Sequence, residues 1–237
     1  MIDAMNHNAK MYSDFLYGKI IDGSYKIVQP PSDTLAALVR RYKLDMGSGK
    51  TALDFSCGEG RNTEYLVRTG YKTTATEVTQ EAIEAARIRF TQNEVDVDLR
   101  EMTLEGWDGR IDLPDAQFDL VVAWEVLHWL ASKKMFLAVV SEFYRVLKPG
   151  GTLIFSVPSN VHGIKTSGIE VGESQYEIVN NKRAGAIMYA PNKPTITKMI
   201  GELGFALQGV MGETFFDDND FVEEHPFAMW CFCAKKQ

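Results

Sequence analysis

The chain has 237 residues, 45% of them hydrophobic and 24% charged, enough apolar mass for one packed domain and too little charge bias for a long disordered tail. Its net charge of -7 is spread along the sequence rather than gathered in blocks, which argues against a partner as anionic as nucleic acid. No run approaches the ~18 apolar residues of a membrane span, and Cys57, Cys231 and Cys233 lack the spacing of a zinc site or disulfide framework, so a cytoplasmic protein with neither metal nor membrane contact is expected.

Residues 1–45 read as an N-terminal helical cap, its clearest part Thr34 to Tyr42. Residues 50–158 then alternate short apolar runs with helical stretches, the pattern of a parallel sheet covered by helices. Thr51 to Phe55 is a strand that ends in a glycine-rich turn, and Asn62 to Arg68 a helix. Lys72 to Val78 is a Thr-rich strand; Gln80 to Phe90 sets Ile83, Ala86 and Phe90 on one helix face; Val95, Val97 and Leu99 alternate as a third strand. Phe118 to Ala123 is apolar but for Asp119 near its start, as a strand buried on both sides should be. From Ser132 to Lys148 the apolar residues recur with helical period up to Pro149-Gly150-Gly151, and Gly151 to Val157 follows as a fifth strand. Residues 159–194 lose the alternation and are expected to be an irregular insertion beside the site. Thr195 to Leu203 is a helix, and Leu207 to Phe216 and Phe227 to Ala234 are closing strands around the acidic loop Asp217 to Glu224. Cys231 and Cys233, two apart on the last of these, are read as small residues on one buried face.

The segment Leu53-Asp54-Phe55-Ser56-Cys57-Gly58-Glu59-Gly60-Arg61-Asn62 runs from buried strand to tight turn to helix. Gly58 and Gly60 remove side chains where backbone must approach a ligand, and small Ser56 and Cys57 widen the gap. Glu77, at the end of the next strand, stands where nucleotide-binding α/β folds place a carboxylate against ribose hydroxyls. It is also compatible with a plain helix-start residue. Asp54 suits either the site or the ordering of the turn.

These residues carry a resemblance. Asp54 to Asn62 resembles the first motif of the class I S-adenosylmethionine-dependent methyltransferases, an acidic residue followed by a Gly-Cys-Gly-x-Gly run, with Ser56 where the first glycine usually stands. Leu147-Lys148-Pro149-Gly150-Gly151-Thr152-Leu153 is similar to the family's turn before its fifth strand, and Leu113-Pro114 with Phe118-Asp119-Leu120-Val121 to the run before its fourth. The resemblance implies a doubly wound, mostly parallel seven-stranded sheet with helices on both faces and the last strand antiparallel, forming one domain over residues 1–237. It implies S-adenosylmethionine as cofactor and S-adenosylhomocysteine as product, held by Asp54, Ser56, Cys57, Gly58 and Gly60. Glu77 and Val78 would lie beside the ribose and adenine, Glu101 and Met102 at the adenine, Trp124 and Glu125 along the methionine half, and Tyr12 and Tyr17 over the carboxylate.

Methyl transfer from a sulfonium draws much of its rate from positioning. A hydroxyl acceptor gains from a general base, and His128, four residues past Trp124, is the candidate for that role and for contact with the acceptor; packing between Leu127 and Trp129 explains it equally. His162, His225 and Tyr189 are further candidates on the substrate side, while Lys165, Lys182 and Arg183 with Tyr176 suit either a lid over an anionic substrate or a surface excursion. Ala123-Trp124-Glu125-Val126 stands where amino-methylating nucleic-acid enzymes of the family carry Asp-Pro-Pro-Tyr, so a small-molecule acceptor is expected, oxygen favoured over nitrogen only by His128. A monomer or homodimer fits. Two rivals remain: a binding protein of the same fold without catalysis, and an NAD(P)-dependent short-chain reductase suggested by the Tyr144-x-x-x-Lys148 spacing.

Overall fold

The computed structural model describes residues 2–12, 21, 30–104, 107–179, 184–215 and 227–237. In chain order the elements are α1 (Ile2–Tyr12), α2 (Asp33–Arg41), β1 (Thr51–Phe55), α3 (Arg61–Arg68), β2 (Lys72–Glu77), α4 (Gln80–Gln92), β3 (Asp98–Glu101), β4 (Phe118–Ala123), a 3-10 turn (Leu127–Leu130), α5 (Lys133–Val146), β5 (Leu147–Pro158), α6 (Gly163–Ser167), β6 (Ile169–Gly172), β7 (Gln175–Glu177), β8 (Ile187–Tyr189), α7 (Lys193–Glu202), β9 (Phe205–Phe215) and β10 (Phe227–Lys236). Seven strands form one sheet in the order β3-β2-β1-β4-β5-β10-β9, and β6-β7-β8 form a second, small one. The first five strands run parallel, and β10 is antiparallel to both its neighbours, β5 and β9.

Alternation along the strands divides the core between the two faces of the large sheet. Leu53, Val121, Leu153 and Phe155 pack with Phe136, Val139, Val140 and Phe143 of α5 and Ile196 and Ile200 of α7. Ala52, Leu120, Val122, Ile154, Cys231 and Cys233 pack on the other face with Leu35, Leu38 and Val39 of α2 and Leu66 of α3. Both faces are covered, which is why these strands read as mainly apolar runs rather than as an alternation. The α2 helix is therefore a layer of the main core rather than a cap above it. Helix starts follow local chemistry: the hydroxyls of Ser32 and Ser132 accept from the Leu35 and Met135 amides at 3.3 and 3.2 Å, and Asn192 accepts from the Thr195 amide at 2.9 Å.

Beyond shifts of a residue or two at element ends, the sequence reading is corrected in three places. Helix α5 ends at Val146 and β5 begins at Leu147, which pairs with Phe118; Pro149 disfavours helical torsions in the residue before it, so the chain extends ahead of the glycines. The third strand is Asp98–Glu101 rather than the Val95 to Leu99 run, because the Val95 amide bonds back to Phe90 at the end of α4 and pairing with β2 starts at Thr74 and Asp98. Residues 159–194 are not irregular throughout: they hold α6 and the small sheet around Ile164, Ile178, Ala186, Met188 and Ala190. Strands of three or four residues are too short for a periodicity to emerge. The expected loop Asp217 to Glu224 lies outside the described residues.

Candidate functional site

At β1 the sheet order reverses, with β2 on one side and β4 on the other. In open α/β sheets such a reversal leaves a crevice beyond the carboxyl ends of the strands. Parallel register brings Phe55 beside Thr76, Glu77 beside Glu101 and Asp54 beside Val122, so the ends of β1, β2, β3 and β4 converge there.

The turn leaving β1 is built from left-handed backbone. Ser56, Gly58 and Gly60 have φ of 57°, 58° and 86°. Glycine takes such torsions freely, whereas a side-chain-bearing residue is strained by about 1–2 kcal/mol, which accounts for a glycine preference at position 56 that this chain forgoes. The turn is tied to β2 by the Cys57 amide donating to the Thr76 carbonyl at 2.9 Å. The Glu77 carboxylate closes over it, accepting from the Gly58 amide at 3.0 Å and from the Val78 and Thr79 amides at 2.6 and 3.2 Å. Burial lifts the Glu77 carboxyl above its ordinary range while those three amides pull against it.

Gly60 serves a different purpose from the one expected. A Cβ there would sit 2.5 Å from Cε1 and Cζ of Phe90, so its vacant space is filled by the α4 ring rather than left for a ligand. Asp54, 2% exposed, points toward α3, where its Oδ2 accepts from the Thr63 hydroxyl at 2.6 Å. Burial pushes its carboxyl up to about 7, helped by the nearby Glu77 and Glu59 and opposed by Thr63 and Arg61. Cys57 is buried, its thiol within reach of the Gly58 carbonyl.

Across the crevice Glu125 follows β4 with φ of 57°. Its amide donates to the Ser156 hydroxyl of β5 at 2.8 Å and its carboxylate meets Arg61 of α3 at 3.3 Å. Burial raises the Glu125 carboxyl, Arg61 lowers it, and Glu213 and Glu59 raise it further. Glu59 raises Asp54, Glu77 and Glu125 alike, so the acidic groups gathered around it create a field that favours a cation. Trp124 turns into the opposite packing layer with Met229 and Cys231. Glu101 is exposed and takes a hydrogen bond from the Gln80 amide group, and the Met102 amide donates to the Glu77 carbonyl at 2.8 Å.

The structure thus gathers Ser56, Cys57, Gly58, Glu77, Val78, Glu101, Met102 and Glu125 at the carboxyl ends, with Asp54 beneath them. His128 lies just beyond, on the 3-10 turn, 1% exposed with its ring 5.0 Å from that of Trp129. Two substrate-side candidates turn inward instead. His162 is fully buried and caps α6, its Nδ1 accepting from the Ile164 amide at 3.0 Å. Tyr189 is 1% exposed in the core, against Phe136 and with its hydroxyl 3.9 Å from the Met199 sulfur. The His162 ring packs edge-on against Phe227 of β10 and the Tyr189 ring against Phe136 of α5. The Tyr12 side chain, Tyr17, Lys182, Arg183 and His225 lie outside the described residues. Arg61, Thr63 and Ser156 were not singled out from sequence. Ser156, the lone hydroxyl in the apolar run Leu153 to Val157, was the legible signal among them.

The reductase pairing dissolves. Tyr144 donates to the Gln237 carbonyl at 2.9 Å, whereas Lys148 pairs with Asp119 at 2.7 Å near the amino ends of β1 and β4, the far edge of the sheet from the crevice.

Residues 53–155 match the family described as methyltransferase domain. A ubiquinone biosynthesis O-methyltransferase of Actinobacillus pleuropneumoniae is 30% identical over 109 residues, 46% of this chain and 45% of that protein. The match therefore spans less than half the length of this relative. Among solved structures, a methyltransferase from Methanosarcina mazei superposes with a TM-score of 0.66 at 17% identity, covering 79% of this chain and 92% of the other. The 1,6-didemethyltoxoflavin-N1-methyltransferase of Burkholderia thailandensis, solved with bound 1,6-didemethyltoxoflavin and S-adenosylhomocysteine, gives a TM-score of 0.64 at 14% identity over 98% of this chain and 90% of the other. The strand order, the turn after β1 and the matched segment all agree, and they identify residues 53–155 as a class I S-adenosylmethionine-dependent methyltransferase domain.

Proposed function

We propose that this protein transfers the methyl group of S-adenosylmethionine to a small-molecule acceptor. The observation that carries this reading is the Glu77 carboxylate gripped by the Gly58, Val78 and Thr79 amides at the mouth of the crevice. An ionised carboxylate has about four acceptor sites, so three amides leave room for a ribose hydroxyl. The acidic side chains of Glu77 and Glu125, with Glu59 acting on both, suit a positively charged sulfonium. When bound, the cofactor supplies an electrophilic methyl group. The chain's own part is to fix Glu77 and Glu125, exclude water and align the acceptor. Glu101 and Met102, beside Glu77, would flank the adenine.

The acceptor's class is read from named relatives and from His128. One relative is named for O-methylation and one structural neighbour for N-methylation, both of small molecules. Oxygen is favoured here only through His128 as general base. Its burial means that an acceptor hydroxyl would have to reach it through the cover of the 3-10 turn. A cytoplasmic setting belongs to the same proposal: the three cysteines are buried free thiols, and no helix among the described residues is long and apolar enough to cross a membrane.

Two measurements test the reading. S-Adenosylhomocysteine should raise the thermal midpoint in a concentration-dependent way whereas NAD(P)H should not, and labelled methyl should pass from S-adenosylmethionine into a small-metabolite extract. Ligand stabilisation without transfer would favour the catalytically silent binding protein. His128→Ala should slow transfer at unchanged cofactor affinity; an unaltered rate assigns His128 to packing and removes the preference for oxygen.

A further inference from the structure

Two side-chain carboxamides from outside the large sheet converge on the 3-10 turn that follows β4. Asn8 of α1 is 2% exposed. Its Nδ2 donates to the Trp129 carbonyl and to the Ile187 carbonyl, each at 3.0 Å, while its Oδ1 accepts from the Ile187 amide at 3.3 Å. With both bonds to Ile187 the amide imitates a neighbouring strand along β8, and its remaining N–H is free to hold the turn. Gln175 of β7 donates from Nε2 to the Ala131 carbonyl at 2.5 Å. Ala131 closes the turn in a left-handed conformation, φ of 58°, that a residue with a side chain adopts only when its surroundings enforce it.

A four-residue 3-10 turn has poor internal hydrogen bonding and little rigidity of its own. Of its internal bonds, the Trp129 amide to the Val126 carbonyl measures 2.9 Å. The carbonyls just beyond it, at Trp129 and Ala131, are fastened from α1 and from the small sheet. Met5, one helical turn before Asn8, is buried in the main core and keeps α1 in place. Buried amide bonds of this kind are directional and leave unsatisfied carbonyls when removed, so they specify position more than they add stability.

We infer that Asn8 and Gln175 form a carboxamide clamp that positions His128, and that this is what the N-terminal helix and the 159–194 insertion contribute to the site. The inference rests on the reading of His128 as the base, and its test is separable from that reading. In protein saturated with S-adenosylhomocysteine, the imidazole nitrogen resonances of His128, assigned by their loss in His128→Ala, report its environment directly. Asn8→Asp, which keeps the acceptor toward the Ile187 amide and loses the donors toward the Trp129 and Ile187 carbonyls, should shift or broaden them. Gln175→Ala, at a half-buried position less exposed to misfolding, should do the same. The His162 resonances should stay in place in both variants, and cofactor affinity should stay within about twofold. Methyl transfer into the extract used for the wild type should fall at least tenfold in each variant. Unmoved His128 resonances in both folded variants overturn the clamp, as does an unchanged transfer rate where His128→Ala is slowed. If His128→Ala transfers normally, the base reading falls and the resonances alone decide the clamp.

Discussion

Replacing Asp54 by Asn should flatten the alkaline loss of stability of this protein. Asp54 is 2% exposed, and burial, aided by Glu77 and Glu59, moves its carboxyl from 3.8 up to about 7. That displacement corresponds to roughly 4 kcal/mol between the two protonation states. The folded-state value is the higher one, so the contribution is fully present below the unfolded value near 4. It declines as pH rises and is gone above about 7, because in between the unfolded chain has released a proton that the native state retains. Between pH 5 and 8.5 the wild type should therefore lose roughly 2–3 kcal/mol that Asp54→Asn does not lose. Asn keeps an oxygen for the Thr63 hydroxyl, so the bond measured at 2.6 Å survives the change. Urea unfolding of both cofactor-free proteins across that range is the assay, and the expected divergence is on the order of 1 M in midpoint. Glu77 is also raised by burial and would tilt either curve, so the difference between the two proteins is the informative quantity. Parallel curves would refute a protonated Asp54 at the base of the turn.

Gly60→Ala should destabilise the fold by about 2–4 kcal/mol through its φ of 86° and the 2.5 Å approach to Phe90. Phe90→Leu in the same chain should restore part of that; lost cofactor affinity at full stability would instead return Gly60 to the ligand. Ser56→Gly should be neutral or stabilising by up to about 1 kcal/mol, because it relieves a φ of 57°; weakened cofactor binding by calorimetry would show that the hydroxyl is used. Glu77→Ala should weaken S-adenosylhomocysteine binding by about 1–3 kcal/mol, roughly tenfold or more, and an unchanged calorimetric affinity would displace Glu77 from the site.

What the sequence determined by itself was the large sheet and the address of its site. Mainly apolar runs at 51–55 and 118–123, a helical period stopping before Pro149, and a glycine turn after the first strand are local patterns, and local patterns survive in one dimension. The carboxylate at Glu77 could be placed because parallel pairing puts successive strand ends at one edge, whereas Glu101 came only from the family resemblance. Tertiary structure alone decided what each side chain meets. Gly60 faces Phe90 rather than a ligand, Tyr189 is claimed by the core, and Tyr144 and Lys148 point to opposite errands despite ideal spacing. The small sheet within 159–194 and the hold of Asn8 on Trp129, 121 residues away, depend on contacts between segments too short or too distant to leave a period, so they emerge only when packing brings them together.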